Sequence, residues 1–143
     1  MARDLGFDAL FFTRVDTEEK IKLQQNKEKV QVWRADESNF GSKKDVLSIV
    51  MAQESGNYCW PKGFAFDQNY HDYIDFEEKN NKNYNGKEKM DHLKKVVNRM
   101  IESERGDHIF ITYGCDFAFT QAQINYFFMD AVIKHWNQEN PNI

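Results

Sequence analysis

The hydrophobic residues of this chain follow two rhythms. Met90, Leu93, Val96, Val97, Met100 and Ile101 recur at spacings of three and four, which lays one apolar stripe along a helix stopped by Gly106. A second helix opens near Thr120, with Ile124, Phe127, Phe128, Ala131 and Val132 on one face and Pro141 at its end. An earlier, mostly polar helix runs from Thr17 to about Glu28; Asp16 caps it, and Glu19 completes a capping box.

The other rhythm is the short apolar run. Phe7 to Arg14 is apolar on both faces, as in a strand of a parallel sheet covered by helices. Val30 to Trp33 alternates like a second strand, Asp45 to Met51 fits a strand or a helical turn, and Gly63 to Asp67 fits a short strand. Ile109 to Tyr113 forms the last strand, broken by Gly114 and followed by Asp116. ARDLG at the start reads as a helix tail stopped by Gly6, while DESNFGSKKD, ESGNYCWPKG and EEKNNKNYNGKEK read as loops. Strand, helix, strand, helix predicts an α/β domain with largely parallel strands, whose ligands sit at the carboxyl ends of those strands. Arg14 ends the first strand and Asp116 follows the last.

Composition narrows the function classes. The 143 residues suit one domain, and 41% hydrophobic and 15% aromatic content excludes a disordered chain. A net charge of -4 argues against nucleic acid as the main partner. The apolar run Ala9 to Phe12 is too short for a membrane span or a signal peptide. Cys59 and Cys115 lack the paired spacing of a zinc ribbon and read as free thiols, with a single bridge left open.

Three stretches, taken in order, carry a resemblance. LGFDALFFTRVD (5–16), followed by KVQVWRA after a charged helix, NYCWPKGFAFD (57–67) and ITYGCDFAF (111–119) resemble segments of glycoside hydrolase family 38, the zinc-dependent α-mannosidases, with the lysosomal type nearest. The resemblance implies an internal slice of an N-terminal catalytic domain, part of a seven-stranded parallel α/β barrel of the glycoside hydrolase/deacetylase kind. It also implies mannose-containing glycans as substrates and a lysosomal or vacuolar home. In that family a Gly-x-Asp-Phe motif carries the general acid/base, which places the role on Asp116. The Phe-Phe-x-Arg arginine beside the reacting carboxylate becomes Arg14, and the sugar-contacting tyrosine of Tyr-x-x-Pro becomes Tyr58.

The family's zinc is held by an upstream His-x-Asp motif, by the nucleophilic aspartate and by a downstream histidine. The nucleophile lies in an Asp-Pro-Phe-Gly-His-Ser-like segment, and neither motif occurs among these residues. The four histidines, His71, His92, His108 and His135, match no family ligand. The expectation is therefore a partial domain, inactive alone, with the zinc and nucleophile segment upstream and further domains downstream. Two residues depart from the motifs: Cys59 stands where a polar residue usually follows the tyrosine, and Cys115 where an acid or small polar residue is common.

Other readings stand beside this one. Asp116 and Asp67 also fit strand-end caps, and Trp33, Trp60 and Trp136 fit core or helix anchors. The charge run from Lys79 to Lys89 fits a solvated loop. A truncated copy would be a noncatalytic carbohydrate-binding or interaction module, self-associating through exposed barrel edges. A small α/β enzyme with a nucleophilic cysteine has no flanking motif to support it.

Overall fold

The structure, a computed structural model, describes residues 2–51, 58–66, 72–77 and 82–141. Asp67 and His71 lie outside the described residues, as does part of the Lys79 to Lys89 run. The chain folds as two compact units, one of Met1–Tyr58 with Arg99–Phe110, the other of Cys59–Asn98 with Ile111–Ile143. We call them the sheet unit and the helical unit.

The sheet unit holds strands β1 (Ala9–Phe12), β2 (Val30–Trp33) and β3 (Val46–Val50) in the order β1-β3-β2. β1 runs parallel to β3 with Ala9 opposite Leu47, and β2 runs antiparallel to it with Trp33 opposite Val46. This corrects the expected slice of a seven-stranded parallel barrel: among the described residues the sheet has three strands and is mixed. The reason lies in helix α1 (Thr17–Gln25), which offers Ile21 and Leu23 as its only large apolar side chains, and Ile21 is exposed. A helix without an apolar face cannot cover a parallel crossover. β2 instead pairs with its next neighbour in sequence.

One sheet face stays partly uncovered. Phe11, Val30, Val32 and Leu47 share it by register and are all exposed, whereas Val46 and Val50 of the central strand are buried on the other. The N-cap of α1 is as expected, the Asp16 carboxylate accepting from the Glu18 and Glu19 amides at 3.0 and 3.1 Å. The ARDLG segment is a single 3-10 turn, Arg3–Leu5, closed by Gly6. Helix α2 (Glu37–Phe40) and a 3-10 turn lead into β3, where Arg34 forks onto both Asp45 oxygens at 3.0 and 2.8 Å. That hydrogen-bonded guanidinium holds the Asp45 carboxyl below its ordinary value, and hydrogen bonds from Asn39 and Ser38 do the same for Asp36. Lys29, 2% exposed, pairs with Glu104 and donates to Ser103 Oγ at 2.8 Å, pinning the residues just beyond the next helix.

That helix, α3 (Gly86–Glu102), buries Met90, Leu93, Val96, Val97 and Met100, as the stripe predicts; Ile101 is exposed. It begins at Gly86, inside the run expected to be a solvated loop. A Cβ at Gly86 would meet the Phe76 ring at 2.5 Å and the Asp75 carbonyl at 2.8 Å, so only glycine permits this approach.

In the helical unit the best-buried irregular stretch is 59–66, where Phe64 and Phe66 are almost wholly enclosed with Trp60 and Pro61. Trp60 is thus a core residue, as its structural reading has it, while Trp33 on edge strand β2 is exposed. Helix α4 (Ala122–Glu139) buries Asn125 and Val132 and sets Phe128 on Phe66 at 5.1 Å, but leaves Phe127 exposed, so its inner face is rotated from the expected one. The expected strands at 63–67 and 109–113 are corrected too: 64–66 and 108–115 form no ladder. β-branched and aromatic residues favour a strand only where a partner strand is available.

Candidate functional site

Asp116 opens a turn rather than closing a strand. The turn is held by the Ala118 amide donating to Cys115 O at 3.0 Å and by the Thr120 hydroxyl donating to Phe117 O at 3.0 Å. Its backbone is unusual. Phe117 and Phe119, both bulky, sit in the left-handed region at φ 62° and 65°, and Gly114 has φ 128°. Such conformations cost on the order of 1 to 3 kcal/mol each and persist only where the surroundings dictate them. Here the Phe119 ring lies over Gly114, where a Cβ would meet it at 3.1 Å, and tilts against Tyr126.

The side chain of Asp116 is exposed, and Phe117 beside it is 92% exposed. The aromatic neighbours in sequence therefore do not bury the acid; the left-handed turn points Phe117 outward. Tyr113 in this loop is half-buried, with its hydroxyl enclosed. Burial pushes its phenol up, its ring stacks on Phe66, and its hydroxyl has no hydrogen-bond partner among the described residues.

Cys115 is bonded to Cys59. This corrects the reading as free thiols and takes up the bridge left open. The two cysteines lie 56 positions apart, a spacing that carries no geometric information in the sequence. The bond joins the turn bearing Asp116 to the buried 59–66 stretch, and removes both cysteines as candidate nucleophiles.

Arg14 and Tyr58 belong to the sheet unit and Asp116 to the helical unit. Arg14 is exposed just past β1, after the buried Thr13, so its place at a strand end is as expected. Tyr58 is half-buried and peptide-bonded to Cys59. The only signals in the sequence for the features missed there were the two cysteines at motif positions and the glycine of Gly114-Cys115.

Among the described residues no three His, Cys, Asp or Glu side chains are grouped so as to hold a metal ion. His92 bonds to Lys62 O at 2.9 Å and stacks on Phe64, and His135 stacks on Phe76. The described residues do not fit a zinc site. No helix among them is long and apolar enough to cross a membrane. A cleft of about 420 Å³ in the sheet unit is lined by Leu10, Trp33, Asp36, Phe40, Lys44 and Val46, and none of the three expected site residues reaches it.

Comparison with known proteins gives one family. The sequence model of the glycosyl hydrolases family 38 N-terminal domain matches residues 1–143. Similar proteins include the lysosomal alpha-mannosidases of Dictyostelium discoideum, 30% identical over 138 residues and 96% of this chain, and of Homo sapiens, 29% over 135 residues and 94%. That of Cavia porcellus is 26% identical over 138 residues. The chain spans 13% of the length of each of these relatives.

Proposed function

The chain belongs to glycosyl hydrolase family 38 through its N-terminal domain, and from that membership we propose that it supplies the acid/base segment of a retaining α-mannosidase. The substrates are terminal α-mannose residues of glycoprotein glycans. The observation that carries the reading is the family match over the whole chain, with Gly114-Cys115-Asp116-Phe117 inside it. The left-handed turn around Asp116 supports it, because strained loop conformations gather at functional sites.

In this reading Asp116 protonates the departing glycosidic oxygen and then takes a proton from the water that attacks the glycosyl-enzyme. A retaining enzyme places a second carboxyl about 5 Å from the first to form that intermediate. Arg14 holds the second carboxylate ionised, and Tyr58 lays its ring on a sugar face and its hydroxyl on the sugar oxygens. The nucleophile and the ligands of the family's zinc come from segments outside these residues, and no step here is routed through the metal. Desolvation of Asp116, which is exposed in this chain, then has to come from the same outside segments or from the sugar itself.

The disulfide supports a lysosomal or vacuolar home, since such bonds persist along the oxidising secretory route and are rare in the cytosol. The test of the function is an aryl α-mannoside assay with zinc. The 143-residue chain alone gives no turnover; the longer polypeptide carrying it hydrolyses the mannoside. There Asp116→Asn loses far more kcat/KM, which reports the first step, on a poor leaving group than on a dinitrophenyl mannoside, which needs no proton. Equal losses of kcat/KM on both substrates would remove Asp116 from the acid role, and hydrolysis by the short chain that Asp116→Asn abolishes would overturn its predicted inactivity.

A second reading, a noncatalytic sugar-binding or interaction module, is favoured by the cleft walled by Trp33 and Phe40. Saturable binding of a mannoside to the 143-residue chain, lost in Trp33→Ala and kept in Asp116→Asn, would select it.

A further inference from the structure

We propose that the Cys59–Cys115 disulfide is a positioning clamp that fixes the Asp116 turn against the buried 59–66 stretch, and that turnover depends on this bond being closed. The inference rests on the acid/base reading of Asp116. Four observations within the helical unit carry it. Residues 111–115 have no ladder partner among the described residues, so regular pairing does not hold the approach to Asp116. The turn itself stores two left-handed phenylalanines, a conformation that relaxes once the surroundings stop dictating it. The bond enters the chain at the residue directly before Asp116. Its other end, Cys59, is buried and opens the Trp60-Pro61 and Phe64-Ala65-Phe66 segment, the best-packed irregular stretch of the unit.

A noncovalent tie between the two stretches is the stack of Tyr113 on Phe66, at 6.2 Å between ring centres, and the Tyr113 hydroxyl adds no hydrogen bond to it among the described residues. Proton transfer to a leaving oxygen tolerates little displacement; a misplacement of about 1 Å can cost on the order of a hundredfold in rate. An exposed acid on a strained turn needs an anchor, and the covalent one is adjacent. The two departures from the family's motifs, Cys59 and Cys115, are then the two ends of one bond. The bond also joins the stretch that follows Tyr58 to the stretch that precedes Asp116, so it links two of the motifs on which the functional reading stands.

The experiment begins with the native protein, denatured and alkylated without reductant, and weighed. No alkyl group on either cysteine is expected, and two free thiols overturn the proposal whatever the variants do. In the longer mannosidase carrying this chain, Cys59→Ser, Cys115→Ser and the double variant are compared for kcat, KM and pH profile on an aryl α-mannoside. All three are expected to lose kcat alike, about 10- to 100-fold, with KM little changed and the limb set by the acid displaced. Phe117→Gly in the double-serine background is expected to recover part of kcat, because glycine takes φ 62° without strain. An unchanged kcat in a folded double variant, or a loss on one side of the bond only, overturns the clamp. If instead the unmodified, disulfide-bonded enzyme hydrolyses no mannoside, the functional reading falls, and the alkylation result still reports on the bond.

Discussion

Glu104→Ala would strand the Lys29 ammonium, which is 2% exposed, with Ser103 Oγ at 2.8 Å as its neutral neighbour. Removing one partner from a buried ion pair costs about 3–5 kcal/mol, because the remaining charge can neither be paired nor hydrated. The pair is asymmetric: the Lys29 side chain is 2% exposed and that of Glu104 18%. Lys29→Met therefore puts an apolar chain of similar length into the buried position and leaves a carboxylate that water can reach. Its cost should be about 1 kcal/mol or less. Glu104→Gln keeps an acceptor without the charge and falls between, at about 2 kcal/mol. For a unit of this size each kcal/mol moves the melting temperature by about 4–8 °C, so Glu104→Ala should lower it by roughly 12–40 °C. The assay is urea-dependent amide exchange of β3, read by mass spectrometry. The predicted order of loss is Glu104→Ala, then Glu104→Gln, then Lys29→Met. A Lys29→Met variant as unstable as Glu104→Ala would refute the argument, since it would show that the burial difference does not set the cost.

Three further outcomes follow from the same physics. Tyr113→Phe removes a buried hydroxyl that has no partner among the described residues, so it should leave stability unchanged or raise it by up to about 1 kcal/mol; a loss of stability in a thermal melt would mean the hydroxyl is bonded. Asp45 and Asp36 are held below the ordinary value of 3.8, so their stabilisation is present above that pH and is lost as pH falls through their lowered values. In an acid titration followed by circular dichroism, Asp45→Asn should lessen the pH dependence of the low-pH unfolding. The exposed face of Phe11, Val30, Val32 and Leu47, beside the edge strands β1 and β2, should make the isolated chain associate with concentration in sedimentation velocity, less so in Val32→Lys; a single monomer boundary at every concentration would sink this.

How much of this the sequence disclosed depended on whether the deciding interaction was local. The stripe Met90, Leu93, Val96, Val97, Met100 needs only the helical period, and all five side chains are buried. The Asp16 cap needs only the residues two and three positions on. Val30–Trp33 was legible as a strand, but its antiparallel direction was not, because direction depends on which strand lies beside it. Ile109 to Tyr113 has strand composition and no partner strand among the described residues. For the site, the motif residues could be named from the sequence, while their surroundings could not. The turn points Phe117 outward and leaves Asp116 exposed, and the bond from Cys115 reaches across 56 positions to Cys59.

The mixed order of the sheet also fixes a schedule for its assembly. β2 and β3 are joined by residues 34–45 and pair Trp33 with Val46, while β1 pairs Ala9 with Leu47 across the whole of α1, β2 and α2. Closing the longer loop costs about 1 kcal/mol more in chain entropy, so the β2–β3 hairpin forms first and β1 adds to a finished edge. On the ribosome the order of emergence is the reverse. β1, with Leu10, Phe11 and Phe12, leaves the exit tunnel first and must wait unpaired until β3 has followed it out. During that interval a nascent chain exposes its most apolar strand, and chaperone binding there would shield it from other chains.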